Sequence, residues 1–162
     1  MTVTPAVPRD VGAMLRLMEL LAAEHSRLDP YFLPGDDWLP SLEMMFLERL
    51  SRRDHLLLVA REEGPPIGMV TASLQPSPVF RLRPRAVIEN LIVRPEYRRQ
   101  GVAQALVETA TAWCVERRVV YTELMVAVDN APARSFWEQR GFEPIMLRMQ
   151  QRSGGNGDGN GR

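Results

Sequence analysis

The sequence contains very little of the residues on which disulfide scaffolds and metal centres depend. It has one cysteine and two histidines among 162 residues, so it cannot form an internal disulfide and offers no cluster for a zinc site. We therefore expect no bound metal. Cys114 lies in a predicted helix, where we expect a small core residue. Such cysteine usage is typical of a reducing compartment, and we expect a cytoplasmic location.

Long apolar runs and an excess of charge of one sign are missing as well. No uninterrupted apolar run reaches the roughly 20 residues of a membrane-spanning helix, and the N-terminus lacks the basic and then apolar pattern of an export signal. Twenty basic residues balance twenty acidic ones, which gives no bias toward nucleic acid or an anionic membrane. We expect neither as a partner.

The composition fits one globular domain. Hydrophobic residues make up 45% of the chain, which is enough for one core in a chain too short for two. We expect a single domain over residues 1–151. Residues 152–162 are rich in glycine and contain no apolar side chain to offset the entropy of ordering. We expect a disordered tail there.

Hydrophobic periodicity predicts helices and strands in mixed order. Helical spacing occurs in residues 11–21, 42–50 and 102–113, and Pro132 and Gly141 bracket a fourth helix. Strands are predicted at residues 2–6, 56–61, 67–73, 86–93, 121–128 and 142–149. A helical crossover makes strand 121–128 parallel to strand 86–93. The predicted fold class is therefore α/β (α+β), a mixed sheet flanked by helices.

The segment 87–103 runs from a buried strand through a basic turn into a helix. The first N–H groups of a helix have no partner within it, and the helix dipole adds positive charge there, so main chain can hold a phosphate. Gly101 and Ala103 keep the helix start free of bulky side chains. A diphosphate could therefore approach the peptide amides directly.

A second pattern, Asn-x-x-Ala-x-x-Phe-Trp-x-x-x-Gly-Phe, follows at residues 130–142. Together with the turn at residues 98–103, it resembles the GNAT N-acyltransferase superfamily. The spacing Arg98-x-x-Gly101-x-Ala103 after an apolar strand is similar to the family's acyl-CoA pyrophosphate loop. Residues 130–142 are similar to its Asn-x-x-Ala-x-x-Phe-Tyr-x-x-x-Gly-Phe signature. The resemblance implies a mostly antiparallel sheet of six to seven strands with about four helices. It also implies transfer of an acetyl group from acetyl-CoA to a primary amine of a small molecule or peptide.

The resemblance also implies which residues contact acetyl-CoA. In the family, the pantetheine arm lies like an extra strand between strands equivalent to residues 89–93 and 123–128. Main-chain groups on one side would come from Leu91, Ile92 and Val93, whose side chains are equally typical of a core. The other implied contacts are Arg98, Arg99, Gln100, Gly101, Val102, Ala103, Asn130, Phe136 and Trp137. Asn130 is equally typical of a helix cap.

Glu89 is the candidate general base. A primary amine with a pKa near ~10.4 is almost wholly protonated at pH 7, so a base must remove its proton. Glu89 interrupts an apolar strand close to the implied thioester, which suits that role. Alternatively, it pairs with Arg81, Arg83 or Arg85, or faces water. A backbone N–H around Val93 is the candidate donor to the developing oxyanion.

Trp137 departs from the family pattern. Many members have a tyrosine there that protonates the leaving CoA thiolate, whereas an indole N–H is no useful acid. Water is the favoured proton source, since a thiol with a pKa near ~8.5 leaves readily. The alternatives are that Ser135 or Tyr121 supplies the proton, or that the activity is weak. The departure also leaves open a second function, a non-catalytic acyl-CoA-binding or sensing module.

Acceptor-binding residues are expected between the first two helices. The candidates are Glu24, Asp29, Tyr31 and Trp38, because acidic and aromatic side chains suit a cationic amine through charge pairing and cation–π contact. His25 in the same segment is more typical of a surface or capping residue than of a base. The family resemblance implies a homodimer, which nothing in the periodicity indicates.

Overall fold

The computed structural model describes residues 1–75 and 85–151. The strands are β1 (Thr2–Pro5), β2 (His55–Arg61), β3 (Gly68–Gln75), β4 (Arg85–Val93) and β5 (Tyr121–Glu123). The helices are α1 (Val11–Ser26), α2 (Trp38–Leu50), α3 (Val102–Glu116) and α4 (Ala131–Glu138). The described residues divide after residue 127 into two compact units. The first contains the sheet and α1 to α3, and the second contains α4.

The five strands form one sheet in the order β1-β2-β3-β4-β5. β1 to β4 are antiparallel neighbours, and β5 runs parallel to β4. Helix α3 supplies the crossover that a parallel pair requires. The mixed sheet with flanking helices confirms the predicted fold class and the predicted parallel pair.

The predicted number of strands is wrong for the described part of the chain. That part contains five strands rather than six to seven, and residues 142–149 form none. β5 ends at Glu123 rather than at residue 128 and pairs with β4 over only three residues. Apolar content predicts that a segment suits a strand, but a paired neighbour decides whether it becomes one. The predicted tail, 152–162, lies outside the described residues.

The cores on the two faces of the sheet anchor β4 and α3. On one face, α1 and α2 bury Met14, Leu17 and Phe46 together with strand residues. On the other face, Gly68 lies close to both β4 and α3: a Cβ on Gly68 would lie 3.0 Å from the Ile92 carbonyl oxygen and 3.3 Å from Leu106 Cδ1. A side chain at position 68 would crowd both elements, which favours glycine there. The end of β4 and the body of α3 are thereby held together.

Candidate functional site

The turn between β4 and α3 leaves a run of amides without partners in the described part of the chain. A short 3₁₀ helix (Pro95–Tyr97) follows β4, and then Arg99 and Gly101 adopt left-handed conformations with φ of 62° and 81°. The Ala105 N–H donates to the Gly101 carbonyl at 3.0 Å. Within the described residues, the amides of residues 99–103 have no hydrogen-bond acceptor. A helix start of this kind binds anions.

Gly101 leaves open space beside these amides. A Cβ built on it would meet nothing within 4 Å, so only its left-handed φ calls for glycine. No side chain caps the start of α3, which leaves the positive end of the helix dipole uncompensated. The amides, the open space and the helix end together fit a diphosphate group.

Arg98 is tied to two other elements. Its Nε donates to the Val93 carbonyl oxygen at 2.9 Å, and its Nη2 pairs with Glu24 near the end of α1. The structure therefore brings together one residue predicted to contact acetyl-CoA and one predicted to contact the acceptor. Arg99, in contrast, is exposed and has no ion-pair partner within the described residues. Of the two arginines, Arg99 carries the unpaired charge.

The Glu89 carboxylate has no hydrogen-bond or ion-pair partner among the described residues. The residue is half-buried. The alternative partner Arg85 donates instead to Glu123 at 2.8 Å. The other two alternatives, Arg81 and Arg83, lie outside the described residues.

A β-bulge lies immediately after Glu89. Thr71 pairs with Glu89 whereas Met69 pairs with Ile92, so one residue of β3 lies opposite both Asn90 and Leu91. Asn90 has a left-handed φ of 55°.

The bulge places Glu89 and Ile92 on the same face, because Thr71 and Met69 share a face of β3. That face is the one covered by α1 and α2, since Met69 and Ile92 belong to their core. Sequence reasoning missed the bulge. Its one signal is an asparagine within a strand, because asparagine tolerates the left-handed conformation.

The predicted acceptor loop has one of its carboxylates engaged locally. Asp29 accepts a hydrogen bond from the Tyr31 N–H at 2.7 Å and starts a short 3₁₀ helix (Pro30–Phe32). Tyr31 is 54% exposed, and its ring packs edge-on against Phe32. Trp38 begins α2 and is half-buried. Of the four predicted acceptor residues, Tyr31 alone is exposed, and Glu24 is paired to Arg98.

His25 packs within the same loop. Its ring centroid lies 5.4 Å from that of Phe32. Burial lowers the pKa of His25, and the opposing effect of the Glu24 charge is smaller. A lowered pKa favours the neutral imidazole at pH 7.

Asn130 starts the helix of the second unit. Its Oδ1 accepts a hydrogen bond from the Ala133 N–H at 3.2 Å, so it is the N-cap of α4. The cap role is one of its two interpretations, and its contact with acetyl-CoA remains a prediction.

The aromatic residues of the second motif pack on one another. Trp137 is 8% exposed, and its ring lies edge-to-face against both Phe136 and Phe142 at centroid distances of 5.1 Å. Ser135 is exposed and accepts a hydrogen bond from the Gln139 side chain at 3.3 Å. The roles predicted for Ser135, Phe136 and Trp137 toward acetyl-CoA remain predictions.

The described residues contain no group of three or more His, Cys, Asp or Glu side chains arranged to hold a metal ion. Over the same part of the chain, no helix combines the length and apolarity needed to cross a membrane. Cys114 is buried, and burial raises the pKa of its thiol, so the sulfur is a protonated core atom.

Known proteins are similar to this chain in sequence and in fold. The chain is 26% identical over 126 residues to an uncharacterized N-acetyltransferase of Methanocaldococcus jannaschii, a match that covers 78% of this chain and 54% of that protein. It is 35% identical over 101 residues to the L-amino acid N-acetyltransferase AaaT of Escherichia coli, covering 61% of this chain and 60% of that one. The matches thus span little more than half of these relatives.

A solved structure and a family model complete the comparison. A mutant of the BH1408 protein from Bacillus halodurans superposes with a TM-score of 0.83 at 19% identity, covering 94% of this chain and 99% of that one. The model of the Acetyltransferase (GNAT) family matches residues 15–142, which include both motifs. The chain therefore belongs to the Acetyltransferase (GNAT) family, which confirms the resemblance read from its motifs.

Proposed function

We propose that this chain is an acetyl-CoA-dependent N-acetyltransferase that acts on a primary amine of a small molecule or peptide. The observation that carries the proposal is the run of amides at residues 99–103 that have no acceptor among the described residues, beside the open space at Gly101. Membership of the family supports the activity, and the name of the Escherichia coli relative supports a small amine as acceptor.

The backbone of the turn is proposed to hold the cofactor's diphosphate. Amide donors to an anion form charge-assisted hydrogen bonds. Arg99, which has no ion-pair partner in the described ranges, adds its positive charge. The main chain of Leu91, Ile92 and Val93 is proposed to hold the pantetheine arm. Acetyl-CoA would supply the acetyl group already activated as a thioester. None of these contacts needs a metal ion.

Glu89 is proposed to remove the proton from the acceptor amine. Its carboxylate has no partner within residues 1–75 and 85–151, and it lies on the sheet face that α1 covers. The C-terminal end of α1 begins the acceptor loop. The Val93 N–H is proposed to donate to the developing oxyanion. Since Trp137 cannot supply a proton, water is proposed to protonate the departing thiolate.

The proposal is tested by incubating the purified chain with acetyl-CoA and a panel of amino acids, polyamines and short peptides. Free thiol and the mass of each amine are followed together. Thiol release that depends on the amine, with an acetylated product, supports the enzyme. Tight CoA binding without release for every amine would indicate the acyl-CoA-binding module, and no CoA binding would overturn both functions.

We also propose that the protein is a homodimer located in the cytoplasm. It rests on the cysteine usage and on the family resemblance. Fractionation and sedimentation test it: a species of 18.4 kDa alone would contradict the dimer.

A further inference from the structure

Few polar side chains are buried in the described part of the chain. Those buried are Asp10, Thr71 and Ser73. Asp10 forms an ion pair with Arg61, and Ser73 accepts a hydrogen bond from Gln75. Thr71 alone of these three lies beside the candidate site.

The Thr71 hydroxyl joins the two residues at the start of the bulge. Its Oγ1 donates to the carbonyl oxygen of Glu89 at 3.2 Å. The same oxygen accepts from Asn90 Nδ2 at 3.0 Å. Thr71 is 3% exposed, so water has little access to compete for either bond. One buried hydroxyl therefore bonds both the main chain of Glu89 and the side chain of Asn90.

This pair of hydrogen bonds holds a backbone conformation that a non-glycine residue seldom adopts. Asn90 has φ of 55°, and such a residue persists only where its surroundings hold it there. If the bulge were lost, the register after Glu89 would slip by one residue. Leu91, Ile92 and Val93 would then exchange faces of the sheet.

We propose that Thr71 is a positioning residue for this site. Its hydroxyl holds the bulge, which in turn sets the direction of the Glu89 carboxylate and of the main chain of Leu91 to Val93. The inference rests on the proposed function of the same site, because those are the groups assigned to the amine and to the pantetheine arm. Thr71 itself acts only through Glu89 and Asn90.

The test compares Thr71→Val with Ser73→Ala. Thr71→Val keeps the shape of the side chain and removes the hydroxyl, and kcat is expected to fall by about 10- to 100-fold because the reacting groups lose their alignment. The KM for acetyl-CoA is expected to change less. Thr71→Ser should restore most of the activity. Ser73→Ala removes a buried hydroxyl from the same face, two residues along β3, and should leave kcat and KM unchanged.

A second pair of variants covers the case in which Thr71→Val does not fold. Asn90→Ala removes the amide and disfavours the left-handed backbone, whereas Asn90→Gly removes the amide alone. Asn90→Gly is expected to retain more activity than Asn90→Ala. Wild-type activity in both Asn90 variants, or in Thr71→Val, would overturn the positioning role.

Two readouts separate this inference from the proposed function. Turnover by the wild type tests the function alone. If the wild type is inactive, amide hydrogen exchange still decides the positioning role: exchange in Thr71→Val should accelerate at residues 90–92 and remain unchanged at residues 86–88. Unchanged exchange at the bulge would overturn the inference whether or not the chain is an enzyme.

Discussion

Replacing Gly101 with alanine should have two effects that can be measured separately: backbone strain that lowers stability, and a methyl group in the space proposed for the ligand. Gly101 has φ of 81° and ψ of −1°, where an L-residue costs roughly 1–2 kcal/mol. The new Cβ would meet nothing within 4 Å, so it adds strain without a clash. The free energy of unfolding should fall by about 1–2 kcal/mol, and the fold should persist.

The affinity for CoA should also fall, for a reason independent of stability. The added methyl group enters the space from which a diphosphate would reach the amides. Losing one charge-assisted hydrogen bond costs about 1.5–3 kcal/mol, which corresponds to a rise in the Kd for CoA of roughly 10- to 150-fold.

Gly64→Ala is the matched control. Gly64 also has a positive φ, 114°, with nothing within 4 Å of a built Cβ, and it lies in the turn between β2 and β3. Urea unfolding should show a loss of stability in both variants, and calorimetry with CoA should show weaker binding only in Gly101→Ala. Equal CoA affinity in the wild type and Gly101→Ala would refute the reasoning, as would equal weakening in the two variants.

Three further predictions follow from the described contacts. Glu89→Gln should lower kcat by about 10²- to 10⁴-fold and leave the Kd for CoA unchanged. Steady-state kinetics and calorimetry measure the two quantities, and a kcat equal to that of the wild type would contradict the prediction. Burial raises the pKa of Asp10, but hydrogen bonds from Arg61 and from a backbone N–H lower it by more, so the pKa lies below 3.8. Asp10 therefore stabilises the fold above pH 3.8, and this stabilisation is lost as the pH falls through the pKa of the folded state. Asp10→Asn should therefore lower the unfolding free energy by about 1–3 kcal/mol at pH 7 and make it less pH-dependent in acid, and chemical denaturation at pH 7 and pH 3 checks both. Arg99→Gly places glycine at a left-handed backbone position, so it should not lower the free energy of unfolding. Its affinity for CoA should fall about two- to fivefold at low salt and by less at high salt. Calorimetry at two salt concentrations measures this, and an unchanged affinity would contradict the prediction.

The sequence predicts the strand, turn and helix around the candidate site because each signal there is local. An apolar run predicts a strand at residues 86–93, and β4 is found at Arg85–Val93. A glycine followed by helical spacing predicts a helix from residue 102, and α3 begins at Val102. Cap chemistry likewise identifies Asn130 as a helix start, and it is the N-cap of α4.

Contacts between distant parts of the chain are not predictable in this way. The hydrogen bond from Asn90 to Thr71 joins residues 19 positions apart, and the ion pair of Arg98 with Glu24 spans 74 positions. No periodicity or motif in the sequence indicates either contact. The predicted strand at residues 142–149 fails for the same reason, since its apolar content says nothing about a pairing partner.

The central claim is that the amides of residues 99–103 hold the diphosphate of CoA. Titrating CoA into the isotopically labelled protein and following the ¹H–¹⁵N spectrum tests it most directly. The account predicts that the largest shifts occur at the amides of residues 99–103 and that pantetheine, which lacks the diphosphate, leaves those amides unshifted. Saturation with CoA without shifts at those residues, or the same shifts with pantetheine, would contradict it.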